Sequence, residues 1–361
     1  MTQPITINIK TQDGYEINGF EWRFIGKVSN DTFEVSNDNL ELSSDNLAIS
    51  NDLAISNDLA ISNDLATSND LAISTVGNKP RDVIIINPAT SVRCRYYFRF
   101  AQYLFDQGFD VITYDYRGIG ESKPNSLRGF KASWVTWGEQ DFEAVLRNTQ
   151  ERFPNQKILI VGHSIGGVLV GLAPSNYLIS RVFTMGSQQA YWPDYLTAHK
   201  FGMVVKWHGV MPFIAATMGY LPAKRLGWME DTPKQVALNW ARMGRHLIPS
   251  IVQSPHQQKI LKLRFEQMKA PILAFGAEDD PFGTPIALNR LLDLYVGSER
   301  YHVRIDPHAI SHPPVGHFAF FNDRFKETLW PITLNWLKHG IVSKQPELKI
   351  QKIPAHETAM R

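Results

Sequence analysis

An unbroken apolar run, Ile158-Leu159-Ile160-Val161, passes directly into Gly162-His163-Ser164-Ile165-Gly166 and then into a second apolar stretch around Val168, Leu169 and Val170. The first run has the length and β-branched content of a strand buried on both faces. Glycines two before and two after the serine let a strand and a helix meet without clashing Cβ atoms. The pattern therefore predicts a sharp strand-to-helix turn with Ser164 at its tip as a candidate nucleophile. Gly-x-Ser-x-Gly arises by chance in roughly one chain in ten of this length. The flanking strand and helix, more than the motif, carry the expectation.

The same alternation runs through most of the chain. Residues 4–25 read as a hairpin around Asp13-Gly14, a dipeptide suited to tight turns. Residues 82–87, 110–115, 157–161, 182–185, 271–275 and 301–305 read as strands. Helical spacing links Tyr97, Phe100, Ala101, Leu104 and Phe105, and again Phe142, Val145, Leu146, Thr149 and Phe153. It returns at residues 286–295 and at Phe325, Leu329, Ile332, Trp336 and Leu337, where Gly340 stops the last helix. Such alternation predicts an α/β fold, a mostly parallel central sheet with helices on both faces. The rhythm breaks over residues 187–269, which are rich in aromatics such as Tyr195, Trp207, Trp228 and Trp240. This segment is expected to be an inserted helical cap over the strand ends. The polar, aperiodic residues 341–361 are expected to form a mobile tail.

Residues 27–77 are of another kind. From Ser50 to Ile73 the unit Ser-Asn-Asp-Leu-Ala-Ile recurs four times, with Thr67 in place of one Ile. A period of six does not keep leucine on one helix face. Six is even, so it would suit a strand; the expectation is a low-complexity, disordered insert, with β-structure or partner binding as the alternative, and either way it carries no chemistry.

A net charge of +2 over 361 residues gives no footing for nucleic-acid binding. Cys94 is the only cysteine, so no intramolecular disulfide forms and a reducing compartment fits. The first residues lack a basic stretch followed by an apolar one, and no apolar run is long enough to be an integral membrane segment. A cytoplasmic location is expected. Nothing in the sequence specifies an oligomeric state.

A serine hydroxyl is a poor nucleophile until a histidine takes its proton and a carboxylate orients that histidine. His317, in Gly316-His317-Phe318, follows the last expected strand and is the preferred base; His312 and His308 share its loop. The acid belongs after the strand at 271–275, where Asp279 and Asp280 compete; Asp280, on a proline-bounded loop, is preferred, and Asp306 is a remote option. The oxyanion is expected to meet the Ile165 N–H at a helix start and a second N–H from the loop after residue 87. Pro88 has no N–H, which leaves Ala89, or else Thr90. No His-Glu-x-x-His or Cys/His cluster points to a metal, and no cofactor is expected.

In order along the chain stand Ile86-Asn87-Pro88-Ala89-Thr90, Tyr114-Asp115-Tyr116-Arg117-Gly118-Ile119-Gly120-Glu121-Ser122, Gly162-His163-Ser164-Ile165-Gly166-Gly167 and Gly316-His317-Phe318-Ala319. Together they resemble the α/β-hydrolase superfamily, in particular its bacterial serine-aminopeptidase-like and monoacylglycerol-lipase-like group. The resemblance implies an α/β-hydrolase domain over residues 1–26 and 78–340. It also implies a serine hydrolase working through Ser164, His317 and Asp280. Asn87-Pro88 departs from the His-Gly usual in that loop. The segment from Asp115 to Ser122 reads as a structural turn. The aromatic cap suggests a small acyl substrate with an apolar portion, most simply a carboxylic ester. An aminopeptidase or amidase needs acids for a free amine, for which Asp194, Glu230 and Asp231 are the candidates. Acyl transfer uses the same residues, and a non-catalytic binding protein on this fold is the reading from outside enzymology.

Overall fold

The computed structural model describes residues 3–24, 80–310 and 314–355. The repeat insert and His312 lie outside the described residues. The apolar runs become strands β1 (Ile5–Lys10), β2 (Glu16–Trp22), β3 (Val83–Asn87), β4 (Asp110–Tyr114), β5 (Ile158–His163), β6 (Ile179–Met185), β7 (Ile272–Ala277) and β8 (Arg300–Ile305). With β9 (Leu348–Ile353) they form one sheet in the order β1-β2-β4-β3-β5-β6-β7-β8-β9. Strands β3 to β8 pair in parallel, and β1, β2 and β9 are antiparallel additions at the edges.

The strand period of two explains why the central strands are apolar throughout. Ile85, Ile112 and Ile160 enter one core, and Ile84, Ile86, Val111, Leu159 and Val161 enter the other. The second core is closed by α1 (Phe98–Asp106) and α6 (Trp330–His339), through Phe100, Leu104, Trp330 and Trp336. The first is closed by α2 (Glu143–Arg152), α3 (Ile165–Leu172), α4 (Pro255–Gln267) and α5 (Pro285–Leu292). From β3 the chain passes to β4 on one side and later to β5 on the other. The crevice beyond the carboxyl ends of β3 and β5 is therefore a topological switch point, where open α/β sheets bind ligands.

Two boundaries differ from the sequence expectation. The expected tail at 341–361 supplies β9, antiparallel to β8. Only Leu348 of that strand is buried, so backbone hydrogen bonds hold an edge that no apolar period announces. The expected cap at 187–269 divides. Tyr195, Met203, Trp207, Met211, Leu221 and Ala237 form a separate small core, whereas Leu261 and Phe265 of α4 join the core under the sheet. Among the described residues, no helix is long and apolar enough to cross a membrane.

Candidate active site

Ser164 sits between β5 and α3 with φ of 54°, one of two non-glycine residues at positive φ among the described residues. An L-residue in this region is strained and persists only where its surroundings hold it. Here the Ser164 N–H donates to the Met185 carbonyl at 3.0 Å. A methyl group on Gly162 would lie 2.7 Å from the Gly167 nitrogen, and one on Gly166 would strike the Asn87 carbonyl. Only glycine permits so close an approach of β3, β5 and α3. Ile165 opens α3, and its N–H has no acceptor within the helix.

The two adjacent aspartates separate cleanly. Asp280, fully buried beyond β7, accepts from His317 Nδ1 at 2.7 Å and from the backbone N–H groups of Phe282 and Gly283 at 2.8 and 2.9 Å. Burial acts to raise its pKa, but the His317 charge and these hydrogen bonds outweigh it and hold the carboxyl below its ordinary value. Asp279 instead accepts the Val315 and Gly316 N–H groups at 2.9 and 2.8 Å, anchoring the loop that carries His317. A carboxylate only accepts, so His317 Nδ1 carries the proton and Nε2 is the ring nitrogen left to act as a base.

The loop after β3 corrects one expectation. The Ala89 N–H does not face the cavity as a spare donor; it donates to the Tyr97 hydroxyl at 2.9 Å. Tyr97 in turn donates to His163 Nδ1 at 2.7 Å, and His163 Nε2 donates to the His317 carbonyl at 2.8 Å. Each proton in this chain has one direction, because the His317 carbonyl can only accept. The chain joins the loop after β3 to the backbone of His317 through the residue preceding Ser164. Burial first, and the charge of His317 second, push His163 down to about 3, so it stays neutral. Among the described residues the N–H groups of Thr90 and Ser91 in this loop have no acceptor, and of the two only Thr90 lines the cavity that holds Ser164. Tyr97 and His163 escaped sequence reasoning: one looks like core and the other like a spacer.

Ser164, Ile165, Ala89, Thr90 and His317 line one cavity of about 200 Å³. Its remaining wall is mostly aromatic: Trp134, Trp207, Trp228, Trp240, Phe282 and Phe318. Trp207 stacks on Trp240 with ring centroids 4.8 Å apart, and Trp228 meets it edge-on at 5.4 Å. A larger groove of about 820 Å³ beside β1 and α2 is lined by Glu139, Glu143, Arg147, Glu151 and Arg264 and contains none of the candidate residues. The smaller cavity has the apolar wall and convergent polar groups of a ligand site.

Asp115 is structural, as the turn reading expects. Its carboxylate accepts the Cys94 and Glu121 N–H groups at 2.6 and 2.9 Å. Arg117 is bound to Asp141 and Asp13. The cap acids are all paired: Asp194 with Arg290, Glu230 with Arg93, and Asp231 with Lys123.

No curated protein sequence matches the chain. Among solved structures, a soluble variant of monoglyceride lipase from Saccharomyces cerevisiae, in complex with a substrate analogue, is similar with a TM-score of 0.57 at 12% identity, covering 95% of this chain and 97% of that one. DcsB in complex with its substrate analogue gives a TM-score of 0.54 at 13% identity, covering 94% and 100%. A Pyrococcus furiosus esterase gives 0.51 at 10% identity, covering 93% and 90%. At such identities these likenesses establish the fold. The sequence pattern of the serine aminopeptidase S33 family matches residues 78–309, more than half of the chain and a span that holds Ser164, Asp279 and Asp280. The chain has the α/β-hydrolase fold and belongs to the serine aminopeptidase S33 family.

Proposed function

We propose that the protein hydrolyses a carboxylic ester through an acyl-enzyme on Ser164. The observation that carries this reading is the His317–Asp280 pair, 2.7 Å long and buried, on the same small cavity as a serine held at positive φ. His317 Nε2 takes the Ser164 proton as Oγ attacks the ester carbonyl carbon. The negative charge that develops on the carbonyl oxygen is met by the N–H groups of Ile165 and Thr90. Collapse expels the alcohol, which takes its proton from His317. Water, deprotonated by the same histidine, then releases the acid. Asp280 keeps the imidazole in the Nδ1–H tautomer throughout.

An ester suits the cavity better than a peptide with a free N-terminus. Asp194, Glu230 and Asp231, the acids that a substrate amine needs, are already engaged by Arg290, Arg93 and Lys123. The test is a panel of p-nitrophenyl esters of graded chain length, run beside aminoacyl-p-nitroanilides and a Ser164→Ala variant. Ester turnover that vanishes in Ser164→Ala is expected. Turnover retained by that variant, or anilides cleaved faster than esters, would sink the reading.

A further inference from the structure

One cation on the wall of this apolar cavity has no carboxylate beside it among the described residues. The Lys206 ammonium lies 4.3 Å from the ring centroid of Trp207 and 4.5 Å from that of Trp228. Burial alone lowers its pKa, and no carboxylate among the described residues acts on it in the opposite sense.

The cap acids are taken up by other cations, Asp194 by Arg290, Glu230 by Arg93 and Asp231 by Lys123, which leaves Lys206 as an ammonium on the cavity wall open to an anionic ligand. A cation over indole faces, shielded from part of the solvent, attracts an anion more strongly than it does in bulk water. The cavity, at about 200 Å³, is below the roughly 300 Å³ at which sites for drug-sized ligands begin. A short chain ending in a compact anion fits that space better than a long acyl tail.

Resting on the ester-hydrolase reading above, we propose that Lys206, seated over Trp207 and Trp228, forms a subsite for a carboxylate, and that the substrate is a short ester bearing a carboxylate away from the scissile bond. The aromatic walls then hold the methylene chain between the two ends. This places a cation where an enzyme for free amino termini needs an acid.

The experiment compares matched esters by pH-stat: monoethyl adipate with ethyl hexanoate for a carboxylate on the acyl side, and 4-acetoxybutanoate with butyl acetate for one on the alcohol side. The ethyl ester of 4-phosphonobutanoate tests the bulkier anion. In the wild type, kcat/KM favours the carboxylate member of one pair about tenfold or more, the value of one charge-assisted hydrogen bond. Lys206→Met removes that preference through KM, and Lys206→Arg keeps it. Carboxylate esters turned over no faster than their neutral partners, or a preference untouched in Lys206→Met, overturn the subsite. A phosphonate preferred to both carboxylates overturns the choice of anion. Absence of turnover of every ester, with Ser164 unreactive towards a fluorophosphonate, instead overturns the hydrolase reading and the subsite with it.

Discussion

The floor and the roof of the cavity are held in different ways. At the floor, the backbone does the placing. Ser164 is fixed by its own φ of 54° and by a hydrogen bond to Met185, and Asp279 and Asp280 hold the His317 loop and ring. In the roof, placement is by side-chain packing. Trp207, Trp228 and Trp240 lean on one another and on Lys206, and their helices form a separate small core. The comparison teaches that Ser164, Asp280 and His317 owe their positions to strand ends, while the aromatic residues facing them owe theirs to packing within the inserted segment. Changes at the floor should abolish chemistry, and changes in the roof should alter which ester is preferred.

The sharpest division within the floor is between the two aspartates. Asp280→Asn should lower kcat about 10⁴-fold, because the imidazole loses the partner that fixes its tautomer. Asp279→Asn should cost no more than about tenfold, since it only slackens the Val315–Gly316 anchor. Steady-state kinetics on one ester checks both, and equal losses would remove the distinction. Next, Gly166→Ala drives a methyl group into the Asn87 carbonyl and should destabilise the fold by about 1–3 kcal/mol. Phe213→Ala, at an exposed roof position, should change stability by less than about 0.5 kcal/mol. Urea unfolding measures the pair.

A third test uses pH. His163, held at about 3 in the folded chain against an ordinary value of 6.5, binds a proton more readily when unfolded. Its contribution is full above pH 6.5 and is lost as the pH falls toward 3. The stability gap between wild type and His163→Gln should therefore narrow by about 2 kcal/mol between pH 8 and pH 5. A gap that is constant or widens on acidification contradicts a neutral, buried His163. In the roof, Trp228→Ala should raise KM about tenfold with little change in kcat, by removing one aromatic face; steady-state kinetics on one ester measures it.

The floor was legible because its demands are local. A strand-to-helix turn that tight needs glycine at fixed spacing, so Ser164 announces itself, and the alternation of runs predicts the sheet. His317 and the pair Asp279-Asp280 follow from their places after the last strands. The direction of the Ala89 N–H was not legible, because it depends on a Tyr97 hydroxyl that the helix after β3 brings back to the loop. Lys206 was not legible either, because it reaches the cavity wall only through its packing on Trp207 and Trp228, and nothing in its spacing records that. Strand β9 was hidden for a third reason: an edge held by backbone hydrogen bonds with one buried side chain has no apolar period to read.

The central claim is that Ser164 is a nucleophile activated by the His317–Asp280 pair. The most direct measurement treats the folded protein with a fluorophosphonate and maps the adduct by mass spectrometry. The account predicts one adduct, on the peptide containing Ser164, formed at least a hundredfold more slowly in His317→Ala, a loss within the range expected for removing a general base. An unlabelled Ser164 in folded protein, or labelling at an equal rate without His317, would contradict it.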